Sequence, residues 1–211
     1  CLKGYAVFDP KKIYKPKLVQ PFLEVNLKAK DYEWKQTYLA KADIKDAQIA
    51  GNLWLNAQAS DRFKATYRGC KFDFYDLVLS HFSHEKIARD ASYDKMAFMG
   101  QLFILPLQFS LKCPIRITEY SAKEKADPQR TVSLIKTGCL EFDNRFLVDV
   151  LVDEQAENTS QMNPQEAMAY AREILTPELA QAFVDADDKA DSRTRMYLNG
   201  NKLYLTHENE F

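Results

Sequence analysis

The 211-residue sequence contains only six glycines, and none of them belongs to a recognisable phosphate-binding loop. The patterns GxxxxGKS/T and GxGxxG, whose glycines let backbone amides approach phosphate groups, are both missing. The pattern GxSxG, which presents a nucleophilic serine in many hydrolases, is missing too. The sequence therefore contains no motif for nucleotide binding through such a loop or for serine-hydrolase chemistry of that type.

Long hydrophobic runs are also missing. The longest apolar window covers residues 96–111, is interrupted by Gln101, Pro106 and Gln108, and falls short of the ~20 residues that a membrane-spanning helix needs. The charged and apolar regions of a signal peptide are not found. With 46% hydrophobic and 28% charged residues, the composition is typical of a globular domain with a sizeable core. We expect the chain as given to be soluble.

The four cysteines, at positions 1, 70, 113 and 139, form no CxxC pair and have no regular spacing. If Cys1 is the lipidated N-terminus of a lipoprotein, three thiols remain and one of them has no possible partner. Such an odd count favours free thiols in a reducing compartment over a disulfide framework. We therefore predict that Cys70, Cys113 and Cys139 are not paired with one another.

Two segments have some of the residues of a metal site. His81 and His84 would share a face on a helix, but the strand-like pattern before them places residues three apart on opposite faces, and nothing requires Cys70 as a third ligand. Residues 185–191 are rich in aspartate, but a calcium loop needs glycine at its sixth position, where Ala190 stands. We predict polar strand-end residues in the first segment and an acidic helix end or loop in the second. Neither a metal nor another cofactor is expected.

Charge is unevenly distributed in a chain whose net charge is −1. Basic side chains outnumber acidic ones by 8 to 4 in residues 1–35 and by 15 to 11 in residues 36–140, whereas residues 141–211 contain 15 acidic and 6 basic ones. A basic N-terminal part can face an anionic membrane, although a solvated surface without a partner has the same composition. The membrane-proximal basic residues would be Lys11, Lys12, Lys15 and Lys17.

Helical spacing of apolar residues occurs near both ends of the chain. Leu18 to Val25 predict a helix that begins near Lys17, with Pro21 in its first turn. A second helix would have Asp43 as N-cap and Gly51 as its C′ residue, and its buried side would consist of Ile44, Ala47 and Ile49.

Two helix starts precede the C-terminus. Asn163-Pro164-Gln165-Glu166 combines an N-cap, a proline at the first helical position and the glutamate of a capping box. Thr176-Pro177-Glu178 repeats the start signal. Two helices, or one helix with a break at Leu175, are therefore predicted.

Between these helices the hydrophobic period changes from about 3.6 residues to 2, as in strands. Phe63, Ala65 and Tyr67 alternate with polar residues, and Arg68-Gly69 predicts a turn into a second strand that runs to Phe82. Further strands are predicted at residues 96–103, 105–111, 115–120, 131–136 and 147–152. A charged loop joins the strand at 115–120 to the strand at 131–136. Asn199-Gly200 favours a tight hairpin that pairs residues 196–198 with 202–204. This order predicts an α+β fold: an antiparallel sheet with N-terminal helices and a C-terminal helix pair followed by a β-hairpin.

Four segments in order resemble the bacterial domain-of-unknown-function family 3137. They are the sequences FMGQLF at 98–103, FDNRFLV at 142–148, AREILTPEL at 171–179 and NGNKLYL at 199–205. Of the Asp-x-Tyr-x-Gly-rich piece of the family only Asp61 and Tyr67-Arg68-Gly69 are present, and residues 154–168 look like an insertion. The resemblance implies a membrane-associated setting, because members typically have one or two membrane-spanning helices ahead of this domain. It implies no chemistry, since the family has no assigned activity.

The sequence thus predicts an irregular basic lead-in at residues 1–16, one α+β domain at 17–206 and a C-terminal tail at 207–211. The first functional hypothesis is a soluble interaction or binding domain of a membrane-associated bacterial protein, whose partner is an unknown protein or an anionic membrane surface. The alternative is a hydrolase or transferase with a site assembled from remote residues, for which the first candidates are His81, His84 and Cys139.

Two further expectations concern partners and location. Phe72, Phe74, Tyr75 and Phe82 lack interleaved basic residues, so they favour core packing over nucleic-acid stacking. Spans upstream of Cys1 would anchor the domain at the cytoplasmic side of the inner membrane, where a lysine-rich flank is expected. The alternative is a lipoprotein attached through Cys1, with the domain outside the cytoplasm. The sequence does not predict the oligomeric state.

Overall fold

The structure is a computed structural model that describes residues 14–35, 37–40, 44–49, 54–81, 96–119, 135–150, 162–190 and 192–209. Within these ranges nine strands form one antiparallel sheet. They are β1 (Lys30–Glu33), β2 (Thr37–Leu39), β3 (Asn56–Tyr67), β4 (Cys70–Ser80), β5 (Met96–Pro106), β6 (Ile115–Glu119), β7 (Phe146–Val150), β8 (Arg193–Asn199) and β9 (Lys202–Glu208). The order across the sheet is β1–β3–β4–β5–β9–β8–β6–β7, and β2 also pairs with β3.

The helices lie before and after the main run of strands. They are a π-helical turn (Lys15–Val19) that leads into α1 (Gln20–Leu27), then α2 (Leu140–Arg145), α3 (Pro164–Ile174) and α4 (Pro177–Ala190). The capping box of Asn163 and Glu166 is present at the start of α3, and Leu175 separates α3 from α4. The predicted α+β fold, with its antiparallel sheet, C-terminal helices and final β-hairpin, is confirmed.

The predicted β8–β9 hairpin is also confirmed and lies in the middle of the sheet, but the two residues of its turn are Gly200 and Asn201 rather than Asn199 and Gly200. β8 and β9 pair so that Tyr197 faces Tyr204 and Asn199 faces Lys202. Gly200 has a φ of 55°, a value that a tight turn requires and that glycine adopts without steric cost. Because β5 lies on one side of this hairpin and β6 on the other, it joins the two halves of the sheet.

Register places one apolar row on a single face of the sheet. Phe63, Phe74 and Phe103 lie opposite one another on β3, β4 and β5, and the row continues through Leu205 to Met196. Side chains in such a cross-strand row project from the same face. We call this the helical face, because α1 covers its β3–β4 end and α2, α3 and α4 cover its β6–β9 end.

The opposite face has its own core. Leu77, Leu79 and Leu102 are fully buried there, together with the ring of Trp54. Ile44, Ala47 and Ile49 are buried against them as predicted. Ala47 lies in a short 3-10 turn, Lys45–Ala47, and Ile44 and Ile49 flank this turn, which replaces the longer helix that the sequence predicts. The proposed cap residues Asp43 and Gly51 lie outside the described residues.

Two of the predicted strands differ from the structure. Residues 107–111 do not form a strand, because the amides of Leu107 and Leu111 donate to the carbonyl groups of Asn201 and Gly200 in the hairpin turn. The predicted strand at 131–136 is wrong for its described part, since Ile135 and Lys136 lie outside the strands and both edges of β6 are occupied by β7 and β8. Residues 131–134 lie outside the described residues.

The prediction of free thiols is confirmed, as Cys70, Cys113 and Cys139 are all unpaired.

Candidate functional site

Four apolar side chains form an exposed row along the N-terminal helical segment. Tyr14, Leu18, Phe22 and Val25 are exposed by 54%, 61%, 63% and 79%. Their separations of four, four and three residues place them on one side of a helix. We call this row the α1 stripe. The sequence predicts one apolar face for this helix, but the structure divides the apolar residues between an inner and an outer side.

The inner side holds α1 on the sheet. Leu23 and Leu27 pack against a small cluster that contains Phe63 and Ala65 of β3. The helix ends at Lys28, which has a left-handed backbone with φ 50°, and the amide of Ala29 donates to the carbonyl of Leu23. Since only two side chains of α1 point inward, the α1 stripe is left on the outside.

A polar network ties the start of this segment to β3. The ammonium group of Lys15 pairs with Oδ2 of Asp61, and the hydroxyl of Tyr32 donates to Oδ1 of the same carboxylate at 2.6 Å. Burial raises the pKa of Tyr32, and the hydrogen bond and charge of Asp61 raise it further. The ion pair of Lys15 with Asp61 therefore anchors the start of the helix to β3.

Other charges surround the α1 stripe. Lys17, Lys28 and Lys30 are exposed, and Glu24 is the one acidic side chain within α1 itself, where it accepts a hydrogen bond from Gln20. Asp61 is neutralised by Lys15. The exposed charged residues within 14–31 are therefore these three lysines and two acidic residues, Glu24 and Asp31, which leaves a small cationic excess. Lys11 and Lys12, the other two predicted basic residues, lie outside the described residues.

The residues first considered for catalysis are not brought together among the described residues. His81 is exposed at the end of β4, whereas Cys139 is buried in the core beneath α2, α3 and α4. The thiol of Cys139 lies 3.4 Å from Oε1 of Gln181, and no histidine contacts it in the part of the chain described. His84 lies outside the described residues. The described geometry of His81 and Cys139 thus gives no support to the alternative hypothesis of an enzyme.

The aspartate-rich segment is a helix end, as predicted. Asp185, Asp187 and Asp188 lie in α4, which continues to Ala190. Arg145 pairs with Asp187 and with Asp188, the latter at 2.6 Å. Within the described ranges no three histidine, cysteine or acidic side chains are grouped as ligands of one metal ion.

Sequence reasoning missed a polar row on the helical face, beside the apolar one. Asp76, Gln101, His207 and Thr194 lie opposite one another on β4, β5, β9 and β8. The row crosses an open cleft of about 650 Å³ between β5, β9 and the end of α4. We call this the central cleft. Only the register of strands distant in sequence brings these residues together, so no local motif could have identified them.

His207 is the titratable group at the centre of that row. Its Nδ1 lies 3.0 Å from Oγ1 of the buried Thr194. Burial lowers the pKa of His207, and the negative charge of Asp187 opposes this shift only in part.

A depressed histidine pKa predicts a specific dependence of stability on pH. The unfolded chain takes up a proton near the ordinary value of 6.5, whereas folded His207 resists it, so stability is retained above that pH and is lost as the pH falls below it. Replacing His207 with glutamine is expected to reduce this loss. Urea unfolding of both proteins, near neutral pH and about one unit below the ordinary histidine pKa, measures it. An equal loss of stability in both proteins would contradict the assignment.

Comparisons with known proteins identify no relatives: no family model, no curated protein and no solved structure matches this chain. The resemblance to the domain-of-unknown-function family 3137 therefore stays a prediction. Among the described residues, no helix combines the length and the apolar character that crossing a bilayer would require.

Proposed function

We propose that this protein is an interaction module that binds an anionic membrane surface through the α1 stripe and the lysines around it. The observation that supports the proposal is the outward position of Leu18, Phe22 and Val25 on a helix whose other side is anchored to the sheet. A helix lying in the membrane interface presents apolar groups to the lipid and basic groups to the headgroups in this way.

The energies of the two contributions are comparable. Full burial of a Phe, Leu or Val side chain contributes about 1.5–3 kcal/mol, and a shallow insertion contributes part of this. A lysine near an anionic surface adds about 1 kcal/mol. Lys17 is the exposed lysine next to Leu18 in sequence, and Lys28 ends the helix. Lys15 contributes indirectly, since its ion pair with Asp61 fixes the position of the helix.

Vesicle pelleting tests the proposal. The chain is expected to pellet with phosphatidylcholine vesicles that contain phosphatidylserine, and less with phosphatidylcholine alone. Phe22→Ser is expected to lower the partition coefficient about tenfold, because it removes the largest apolar group of the stripe. Lys17→Gln is expected to lower it about fivefold, and only for the anionic vesicles.

A matched control comes from Phe109, which is 50% exposed and lies in the loop beside the β8–β9 turn, away from α1. Phe109→Ser makes the same chemical change and is expected to leave pelleting unaltered. Equal recovery with both kinds of vesicle, or equal effects of Phe22→Ser and Phe109→Ser, would reject the proposal.

The wider setting stays a prediction. A position at the cytoplasmic face of the inner membrane is in keeping with the proposal, because that leaflet carries anionic lipids. If the stripe instead binds a protein partner, the chain is expected not to pellet preferentially with the anionic vesicles.

A further inference from the structure

The central cleft lies outside the α1 stripe and has features of a small-molecule site. Its volume of about 650 Å³ is in the range of ligand pockets in proteins, about 300–1,000 Å³. One wall is the last turn of α4 with Lys189, and the floor is the sheet with Gln101, Phe103 and His207. Ser192 and Asn209 complete the lining.

Phe103 provides a fixed aromatic surface at the floor. Its ring contacts Phe74 edge to face at a centroid distance of 5.1 Å and His207 in the same manner at 5.8 Å. These neighbours hold the ring in place, while the side chain stays partly exposed at the cleft. A planar ligand can stack on such a ring at little conformational cost, because nothing has to be ordered first.

The polar groups around this ring are mainly donors. The ammonium group of Lys189 is exposed and forms no ion pair within the described residues. The hydroxyl of Ser192 is buried without a hydrogen-bond partner in the same part of the chain, and such a group is costly to leave unsatisfied. The side-chain amides of Gln101 and Asn209 also line the cleft and can donate.

Three acidic groups near the cleft are paired with arginine, whereas Asp76 and Asp185 accept hydrogen bonds from the neutral side chains of Ser60 and Gln181. Asp187 and Asp188, on the same helix as Lys189, both pair with Arg145. Glu208, which follows His207, pairs with Arg195 at 2.7 Å. Among the residues that line the cleft, Lys189 is the one with a permanent charge, and the chemistry of the lining suits an anion with a flat apolar part.

We propose that the central cleft binds a small aromatic carboxylate. Its ring stacks on Phe103, and its carboxylate accepts a hydrogen bond from the ammonium group of Lys189. A phosphorylated ligand suits the cleft less well, since one lysine supplies a single charge and no glycine-rich loop is present. Comparing the affinities of a charged and a neutral ligand that have the same ring distinguishes the contribution of the carboxylate from that of stacking.

The test is an NMR titration of the ¹⁵N-labelled full chain with nicotinate and, separately, with nicotinamide. Nicotinate is expected to cause saturable shifts of the amides of Phe103, Lys189 and His207 and to bind about fivefold more tightly than nicotinamide, as one solvent-accessible charge pair allows. Binding of both probes with equal affinity, shifts elsewhere in the chain, or no saturable shifts with nicotinate would overturn the proposal.

Variants locate the site. Lys189→Gln is expected to remove the preference for nicotinate, and Lys202→Gln, at the opposite end of β9, is expected to preserve it. Phe103→Leu keeps an apolar side chain but removes the ring, so it is expected to weaken both probes alike. Unchanged nicotinate affinity in Lys189→Gln would count against the site. These variants lie outside α1, so they are expected to leave vesicle binding unchanged. Failure of the cleft proposal would therefore not affect the proposed membrane binding.

Discussion

Replacing Arg145 with methionine is expected to lower the free energy of unfolding by about 3–5 kcal/mol, because it leaves a buried carboxylate without its counter-ion. The side chain of Asp187 is only 4% exposed, and Arg145 is its ion-pair partner. Burial alone would lower the pKa of Arg145, but its hydrogen bonds and the charges of Asp188 and Asp187 outweigh burial and raise it. Arg145 therefore joins α2 to α4 as a permanent cation.

Chemical denaturation of the wild type and the variant measures this loss. Glu141→Gln is the matched control, since it removes an exposed carboxylate that lies 3.5 Å from Arg145, and is expected to cost less than about 0.5 kcal/mol. The double variant Arg145→Met with Asp187→Leu is expected to recover most of the loss, because no buried charge remains. A loss in Arg145→Met no larger than in Glu141→Gln would show that Asp187 does not depend on this partner.

Replacing Gly100 with alanine is expected to destabilise the centre of the sheet by about 3 kcal/mol or more. Gly100 lies on β5 opposite Glu208 of β9. An added Cβ would lie 2.0 Å from the carbonyl oxygen of His207 and 3.0 Å from Cα of Glu208. Both contacts are with backbone atoms, so they can be relieved only by moving β5 and β9 apart.

Gly69→Ala is the comparison for this variant. Gly69 has a φ of 84° in the turn between β3 and β4, but no atom lies within 4 Å of an added Cβ. Its replacement is expected to cost about 1 kcal/mol, from the backbone conformation alone. The midpoints of urea unfolding compare the two variants directly. Equal losses would mean that the close approach of β5 and β9 is not what restricts position 100 to glycine.

The elements that the sequence predicts well are those whose signals are local. Asn199-Gly200 predicts the β8–β9 hairpin, because few residues tolerate the backbone angles of a tight turn. The capping box at Asn163 and Glu166 predicts the start of α3, since its partners are only three residues apart. Alternation of apolar residues around Phe63 predicts β3, because that period of 2 follows from strand geometry itself.

The sequence by itself therefore determined the α+β class, the main helices and the central hairpin, as each depends on residues close together in the chain. Only the tertiary structure decided which side of α1 is exposed, because the burial of Leu23 and the exposure of Phe22 depend on where β3 and β4 lie. It also turned Lys15 into an anchor by placing Asp61 beside it. The central cleft depends on the pairing of β4, β5, β9 and β8, and such a register is set by packing between distant segments, which local spacing does not encode.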